Sequence, residues 1–163
     1  MSVIDDLLEN NRRFAAAFER ADRPASPARK LAVVACMDAR VDPVLVLGLR
    51  AGDAHVIRNA GGVVTDDVIR SLAISQHILG TEEIMLLHHT RCGMQTLSDE
   101  DFAAALEQAS GRRPAWRAGA FSDLEEDVRD SLRRVRECPF LACTQSVRGF
   151  VYEIETGVVR EVR

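Results

Sequence analysis

The hydrophobic residues of this chain fall into short uninterrupted runs, separated by longer stretches in which apolar and polar positions mix. The first run, LAVVAC at 31–36, is rich in β-branched valine and is typical of a strand buried on both faces of a parallel sheet. Further strands are predicted at 54–58 and 83–88, and a terminal hairpin is predicted at 148–154 and 158–162. Because helical segments separate the strands, the pattern predicts an α/β fold with a mainly parallel sheet.

The amphipathic segment at the start of the chain has no neighbour in the sequence against which to pack. Its apolar residues recur at a helical period from Ser2 to about Arg20, and Ser2 is a suitable N-cap. Two prolines within residues 22–30 cannot continue a helix, so that stretch is predicted to be a linker. We therefore expect residues 1–21 to form a protruding helix that covers either its own sheet or a partner subunit.

Helical periodicity also predicts a short turn at 44–49 and helices at 66–79 and 98–110. A last helix carries apolar residues beyond position 123, and Ser122 followed three residues later by Glu125 predicts a capping box at its start. The sequence contains no internal repeat and no shift in composition. We therefore expect the 163 residues to form a single domain.

Bulk properties narrow the class of protein. The chain is 47% hydrophobic and 28% charged, as in an ordinary globular domain, and its net charge of -4 argues against a nucleic-acid partner. No window approaches eighteen uncharged apolar residues, so no membrane span is predicted. The acidic N-terminal segment does not resemble a secretory signal. These features predict a cytoplasmic protein whose four cysteines are reduced or bound to metal.

Residues that bind metal ions follow two of the predicted strands. Cys36 ends the strand at 31–36, and His89 and Cys92 follow the strand at 83–88. In a doubly wound sheet of order 2-1-3 these strands are neighbours, and their carboxyl ends border the cleft where such sheets bind ligands. Two thiolates and an imidazole suit zinc. The sequence therefore predicts a zinc site formed by these three residues.

Asp38 and Arg40 favour a functional site over the alternative that Cys36 is only a buried core thiol. A carboxylate and a guanidinium are costly to bury unless they pair and serve a site. Asp38 is either a fourth ligand that closes a structural zinc site, or a base that Arg40 holds beside an exchangeable water. The second arrangement predicts attack of zinc hydroxide on a small electrophile. Because side chains alternate along a strand, His88 is expected to point away from His89 and to pack or hydrogen-bond elsewhere.

Three motifs together resemble those of the β-class carbonic anhydrases. They are Cys36-Met-Asp38-Ala-Arg40, Arg58-Asn59-Ala60-Gly61-Gly62 and His89-Thr-Arg-Cys92-Gly93. Their order and spacing match, and the likeness extends over nearly the whole chain. The chain resembles the small subgroup of that family, although Ala39 stands where many members have serine and Gly62 where many have asparagine.

The resemblance implies reversible hydration of carbon dioxide to bicarbonate and a proton, at one zinc ion per chain. The zinc ligands implied are Cys36, His89 and Cys92. Asp38 would ligate zinc in an inactive closed state, or pair with Arg40 when water is bound. Three glycines, Gly61, Gly62 and Gly93, are predicted to line the substrate pocket, although a tight strand-to-helix turn explains Gly61 and Gly62 equally well.

The resemblance also implies a sheet of order near 2-1-3-4 with an antiparallel terminal strand, in a homodimer or tetramer whose N-terminal helices pack onto the partner. The nearest alternative is hydrolysis of carbon disulfide or carbonyl sulfide, which relatives perform on the same scaffold. Another is a non-catalytic, zinc-stabilised protein with Asp38 as a permanent fourth ligand. A nucleotide-binding module would need a glycine-rich phosphate motif that the sequence lacks.

Overall fold

In the computed structural model, which describes residues 2–18 and 22–163, helices and strands alternate along the chain. The strands are β1 (Leu31–Cys36), β2 (Ala54–Asn59), β3 (Glu83–His89), β4 (Val147–Tyr152) and β5 (Val159–Val162). The helices are α1 (Val3–Ala16), α2 (Pro43–Val46), α3 (Asp66–His77), α4 (Asp99–Ser110) and α5 (Leu124–Arg136). Single 3-10 turns occupy Ala60–Gly62 and Gly93–Gln95.

The five strands form one sheet in the order β2-β1-β3-β4-β5. The first three pairings are parallel, and β4 pairs with β5 in the antiparallel direction. Leu31 at the start of β1 lies opposite Ala54 on one side and Glu83 on the other, so the carboxyl ends of β1, β2 and β3 meet at one edge. The predicted α/β fold, with its mainly parallel sheet and antiparallel terminal strand, is confirmed.

The two faces of the sheet carry unequal cores. The larger one lies between the sheet and helices α3 and α5, where each fully buried aliphatic side chain contributes about 1.5–3 kcal/mol. Its members include Ala32, Val34, Val68, Leu72, Ile84, Leu86, Val128, Leu132, Val135 and Val147. Gly149 of β4 lets α5 lie close, since a Cβ there would stand 2.4 Å from Cγ1 of Val128. The opposite face buries only a small cluster within the described chain, formed by Val33, Ala35 and Leu87.

Helix α1 contributes nothing to either core. Ser2 caps it through a reciprocal capping box with Asp5, and none of its fourteen residues is buried. The helix ends at Ala16 rather than near residue 20, and positions 1 and 19–21 of the predicted element lie outside the described residues. Residues 22–30 form neither helix nor strand, as the prolines predict. Within residues 2–18 and 22–163, no helix is long and apolar enough to cross a membrane.

Two predicted helix boundaries need correction. The N-cap of α5 is Asp123, whose Oδ1 accepts the backbone N–H groups of Glu125 and Glu126 at 2.9 and 3.0 Å, so the capping box predicted at Ser122 is wrong. Asp123 has an extended backbone conformation, and its side chain accepts the N–H groups two and three residues later, as an N-cap does. Helix α2 is a single turn that ends at Val46, short of the predicted position 49, because Gly48 adopts a left-handed backbone conformation soon after it.

Candidate metal centre and its acid–arginine pair

Three side chains predicted to bind metal converge at the carboxyl edge of the sheet. Cys36 is the last residue of β1, His89 is the last residue of β3, and Cys92 lies in the turn that follows. All three are buried, and one potential ligand atom from each lies within 4.8 Å of the other two. Since β1 and β3 are parallel neighbours, their ends deliver these residues to the same place although they are distant in the sequence.

The two sulfur atoms are coupled to each other. Sγ of Cys36 lies 4.0 Å from Sγ of Cys92. The hydrogen bond between them lowers the pKa of the Cys36 thiol to about 4, against the opposing effect of burial. The same bond raises the pKa of Cys92, and burial raises it further. The pair thus favours the thiolate of Cys36, which is the form in which cysteine binds a soft cation.

The imidazole of His89 is oriented with one nitrogen toward this cluster. Its Nδ1 lies 2.8 Å from the carbonyl oxygen of Thr90, which can only accept, so Nδ1 carries the hydrogen and donates it. Nε2 is buried and has no hydrogen-bond partner among the described residues. A neutral imidazole held by a backbone carbonyl, with its second nitrogen unprotonated, is the form in which histidine binds metal. The donor set of two sulfurs and one nitrogen thus fits zinc.

Asp38 and Arg40 form a two-pronged ion pair beside the cluster. Nε of Arg40 donates to Oδ1 of Asp38 at 2.9 Å, and Nη2 donates to Oδ2 at 2.7 Å. The backbone N–H of Arg40 also donates to Oδ1. These bonds hold the pKa of Asp38 well below its usual range, so the carboxylate stays ionised. Its Oδ2 lies 3.8 Å from Nε2 of His89, which places the charge at the border of the cluster.

The cost of burial predicted for both charges applies to Asp38 but not to Arg40. The side chain of Asp38 is 17% exposed, whereas half of the Arg40 side chain is exposed. Arg40 therefore stays solvated on one side while its guanidinium holds the carboxylate of Asp38 on the other.

Arg58 fixes the loop that carries Asp38. Its guanidinium donates to the carbonyl oxygens of Cys36, Asp38 and Val41 at 3.0, 2.8 and 2.6 Å. Three bonds from one rigid fork restrain the backbone from the end of β1 to Val41, two residues before α2. Arg58 is part of the second motif, but its sequence position alone indicates no role for it. Arg58 lies near the carboxyl end of β2, and only the pairing of β2 with β1 brings it to this loop.

The three glycines predicted to line the pocket have different surroundings. Gly62 has a φ of +73°, and a Cβ there would lie 2.9 Å from the backbone nitrogen of Cys36, so glycine alone lets this turn pass the end of β1. A Cβ on Gly61 would meet side chains of Met94 and Phe121. Gly93 has open space where a Cβ would stand. The role of Gly61, Gly62 and Gly93 toward a substrate stays a prediction.

His88 lies on the opposite face of β3 from His89, as strand alternation predicts. Its ring is fully buried, with Nδ1 3.1 Å from Oδ2 of Asp127 on α5 and its centroid 6.1 Å from that of Phe121. Neither nitrogen makes a well-aligned hydrogen bond within the described chain. His88 therefore belongs to the packing between the sheet and α5, and its neighbour Asp127 has no signature in the sequence.

Comparison with known proteins agrees with this geometry. The family model for carbonic anhydrase matches residues 31–159. Beta-carbonic anhydrase 1 of Mycobacterium tuberculosis is 54% identical over 162 residues, which is 99% of each chain. Carbon disulfide hydrolase of Acidithiobacillus thiooxidans is 36% identical over 81% of this chain and 76% of that protein. The crystal structure of carbonic anhydrase from Streptococcus mutans superposes with a TM-score of 0.94 at 40% identity, covering 100% of this chain and 99% of the other.

Proposed function

The chain belongs to the β-carbonic anhydrase family, and from that premise we propose that it hydrates carbon dioxide at one zinc ion held by Cys36, His89 and Cys92. The products are bicarbonate and a proton, and the reaction is reversible. The observation that carries this proposal is the buried cluster of two sulfurs and one imidazole nitrogen without a hydrogen-bond partner, directly beside an ionised carboxylate. A zinc ion in such a cluster supplies the Lewis acidity that makes water nucleophilic near neutral pH.

The residues of the chain then have separate tasks. Asp38 remains ionised, so it accepts a hydrogen bond or a proton from the reacting water and cannot donate one. Arg40 holds that carboxylate by two bonds and keeps it from serving as a fourth ligand. Arg58 restrains the loop that carries both Asp38 and Arg40 by its three carbonyl contacts. We infer that this Asp38–Arg40 pair makes the centre catalytic rather than structural.

Stopped-flow hydration of carbon dioxide by zinc-quantified protein, from about pH 6.5 to about pH 9, tests the proposal. We expect turnover that rises with pH at one zinc per chain. Cys36→Ser replaces a soft thiolate and should lose most of the zinc and the activity. The matched control is Cys143→Ser, a half-buried cysteine outside the cluster, which should keep both.

Two results would contradict the proposal. Full zinc retention by Cys36→Ser would remove that sulfur from the ligand set. Inactivity of the wild-type chain toward carbon dioxide at one zinc per chain, with sulfide released from carbon disulfide, would replace the proposed substrate by the one that the related hydrolase is named for. The higher identity to the carbonic anhydrase than to that hydrolase supports carbon dioxide.

We propose that the enzyme is a homodimer or tetramer in which a second copy covers α1. Five large apolar residues on this helix are between 52% and 75% exposed: Val3, Ile4, Leu7, Leu8 and Phe14. Contiguous apolar surface of this kind marks an interaction site. Light scattering should give a mass that is a multiple of 18.0 kDa, and Leu7→Glu with Leu8→Glu should reduce it to a single chain. Glu9→Ala, on the polar side of the same helix, should leave the mass unchanged.

We also propose that the enzyme works in the cytoplasm. The four cysteines are unpaired, and all of them lie in the described part of the chain. Thiols bind metal as thiolates, and a reducing compartment preserves them in that form. Fractionation of cells that produce the protein should recover it with a cytoplasmic marker, and recovery with periplasmic or secreted protein would contradict this location.

A further inference from the structure

Arg40 has a second anchor that does not depend on Asp38. Arg40 binds the carboxylate through Nε and Nη2, and its Nη2 also donates to the backbone carbonyl oxygen of Arg91 at 3.0 Å. A backbone carbonyl cannot ionise and moves only if the backbone moves. The Arg40 guanidinium therefore keeps one anchor whether or not it is bonded to the carboxylate of Asp38.

The carbonyl of Arg91 is aimed by an unusual backbone conformation. Arg91 has a φ of +53°, in the left-handed region that a residue with a Cβ seldom adopts. It lies in the turn between two members of the metal cluster, His89 and Cys92. Such a turn needs support from its surroundings to persist.

Glu155 supplies that support from the loop between β4 and β5. Its Oε1 lies 2.5 Å from Nε of Arg91, and its Oε2 accepts the hydroxyl hydrogen of Thr90 at 2.7 Å. The Thr90 hydroxyl in turn accepts the backbone N–H of Ile154 at 3.0 Å. The hydrogen bond from Thr90 lowers the pKa of Glu155, with the nearby arginines acting in the same direction, so the carboxylate is ionised at neutral pH. One side chain thus binds both residues of the turn.

We propose that Glu155 is a positioning residue for the reaction: it holds the Thr90–Arg91 turn so that the Arg91 carbonyl keeps Arg40 ready to bind Asp38. This inference rests on the proposed function, because it concerns the Asp38–Arg40 pair. Glu155 touches neither the metal cluster nor Asp38, and it affects the reaction only through the Thr90–Arg91 turn. The sequence motifs do not include it.

A second glutamate of the β4–β5 hairpin, which also forms an ion pair, provides a matched control. Glu161 of β5 binds Arg148 of β4 through two bonds of 2.8 Å. The Glu161 side chain is 33% exposed, close to the 38% of Glu155, and it makes no contact with the Thr90–Arg91 turn. If an exposed ion pair acts only by stabilising the hairpin, the two glutamates should behave alike.

The kinetic test compares zinc-loaded Glu155→Ala, Glu155→Gln and Glu161→Ala with the wild type. We expect Glu155→Ala to lower kcat/KM about three- to tenfold. Its pH profile should move toward higher pH. A less well-held Arg40 competes less well with zinc for the carboxylate of Asp38. Glu155→Gln can still accept the hydrogen bond from Thr90 but lacks the charge that attracts Arg91. Its kcat/KM should therefore lie between those of the wild type and Glu155→Ala. Glu161→Ala should match the wild type in both kcat/KM and pH profile.

A second readout needs no turnover. In ¹⁵N spectra of the arginine side chains, the Arg40 guanidinium of the wild type should show slow rotation, since both of its anchors are in place. Glu155→Ala should broaden or average those signals, and Glu161→Ala should leave them unchanged. Glu155→Gln is nearly isosteric and keeps this comparison available if the alanine variant folds poorly.

The outcomes separate the two proposals. If the wild type is active and the Glu155 variants have unchanged kinetics and unchanged Arg40 signals, the positioning role is overturned. Equal losses in Glu155→Ala and Glu161→Ala, with equal falls in stability, would also overturn it, since both glutamates would then act only on the hairpin. An inactive wild type would overturn the proposed function, and the Arg40 signals would still decide whether Glu155 holds the guanidinium.

Discussion

His88 and His89 are neighbours in the chain with the same side chain and the same complete burial, yet they have different chemistry. The pleat of β3 sends one ring toward α5 and the other toward two cysteines at the carboxyl edge of the sheet. The face and the edge of the strand, rather than the residue type, therefore decide which histidine can bind a metal.

The two rings also differ in how they are oriented. His89 donates from Nδ1 to a backbone carbonyl, which in the neutral ring selects the tautomer whose Nε2 can bind a metal. His88 lies 3.1 Å from the Asp127 carboxylate without a well-aligned hydrogen bond. One imidazole is prepared for a ligand by a defined bond, and the other is held mainly by packing against its neighbours.

The largest expected effect separates the histidines directly. His89→Ala removes a ligand and should abolish zinc binding, with turnover at least about a hundredfold lower. His88→Ala should retain zinc and activity but lower the free energy of unfolding by roughly 2–4 kcal/mol, because it leaves a cavity beneath α5. Metal analysis, stopped-flow hydration and urea unfolding measure these quantities. Loss of zinc in the His88 variant would show that the two faces are not independent.

A smaller effect is expected from the two carboxylates that accompany the histidines. Asp38→Asn should keep zinc and lower turnover about ten- to hundredfold, because an amide cannot accept a proton and leaves Arg40 without an ionic partner. Asp127→Asn, beside His88, should leave turnover unchanged. Activity across pH in the two variants checks this. An Asp38 variant with wild-type rates would remove the carboxylate from the reaction.

The smallest effect concerns the loop that covers His88. Oδ1 of Asp99 accepts the backbone N–H groups of Gly119 and Ala120, just before Phe121. The bond from Ala120 is the main reason that the pKa of Asp99 lies below its usual 3.8, and Arg117 adds to it.

Because the folded pKa is depressed, the ionised carboxylate stabilises the fold above about pH 4, and this stabilisation is lost as the pH falls toward the folded value. Asp99→Asn should therefore cost about 1 kcal/mol at neutral pH and progressively less below pH 4, with activity unchanged. Urea unfolding of the variant and the wild type at several pH values measures the difference. A difference that stayed constant down to pH 2 would contradict the assignment.

Much of this fold could be predicted because it depends on local periodicity. The strand at 31–36 stands out by its unbroken apolar run, and the ligand residues stand out because they follow strands that topology makes neighbours. The predicted helix boundaries were less accurate. Ser122 and Asp123 are both good caps, and only the backbone geometry decides that Asp123 accepts the first N–H groups of α5.

The supporting contacts could not be predicted because they join distant parts of the chain. Glu155 meets Arg91 only after β4 has paired with β3, and Arg58 meets Val41 only after β2 has paired with β1. Neither contact has a periodic signature, and many surface charges of the same types make no comparable contact with the site. The residues proposed to bind the metal and the substrate could thus be named from the sequence, whereas those that hold them in place required the fold.

The parallel pairing of β1 with β3 also has a consequence for how the active enzyme arises. Leu31 aligns with Glu83, so a long intervening segment must close before Cys36 can approach His89. Closing such a loop is slow and entropically costly, and no partial form of the chain brings the ligands together. Acquisition of the metal should therefore mark the end of folding, and an ion that binds only the native arrangement shifts the folding equilibrium toward it.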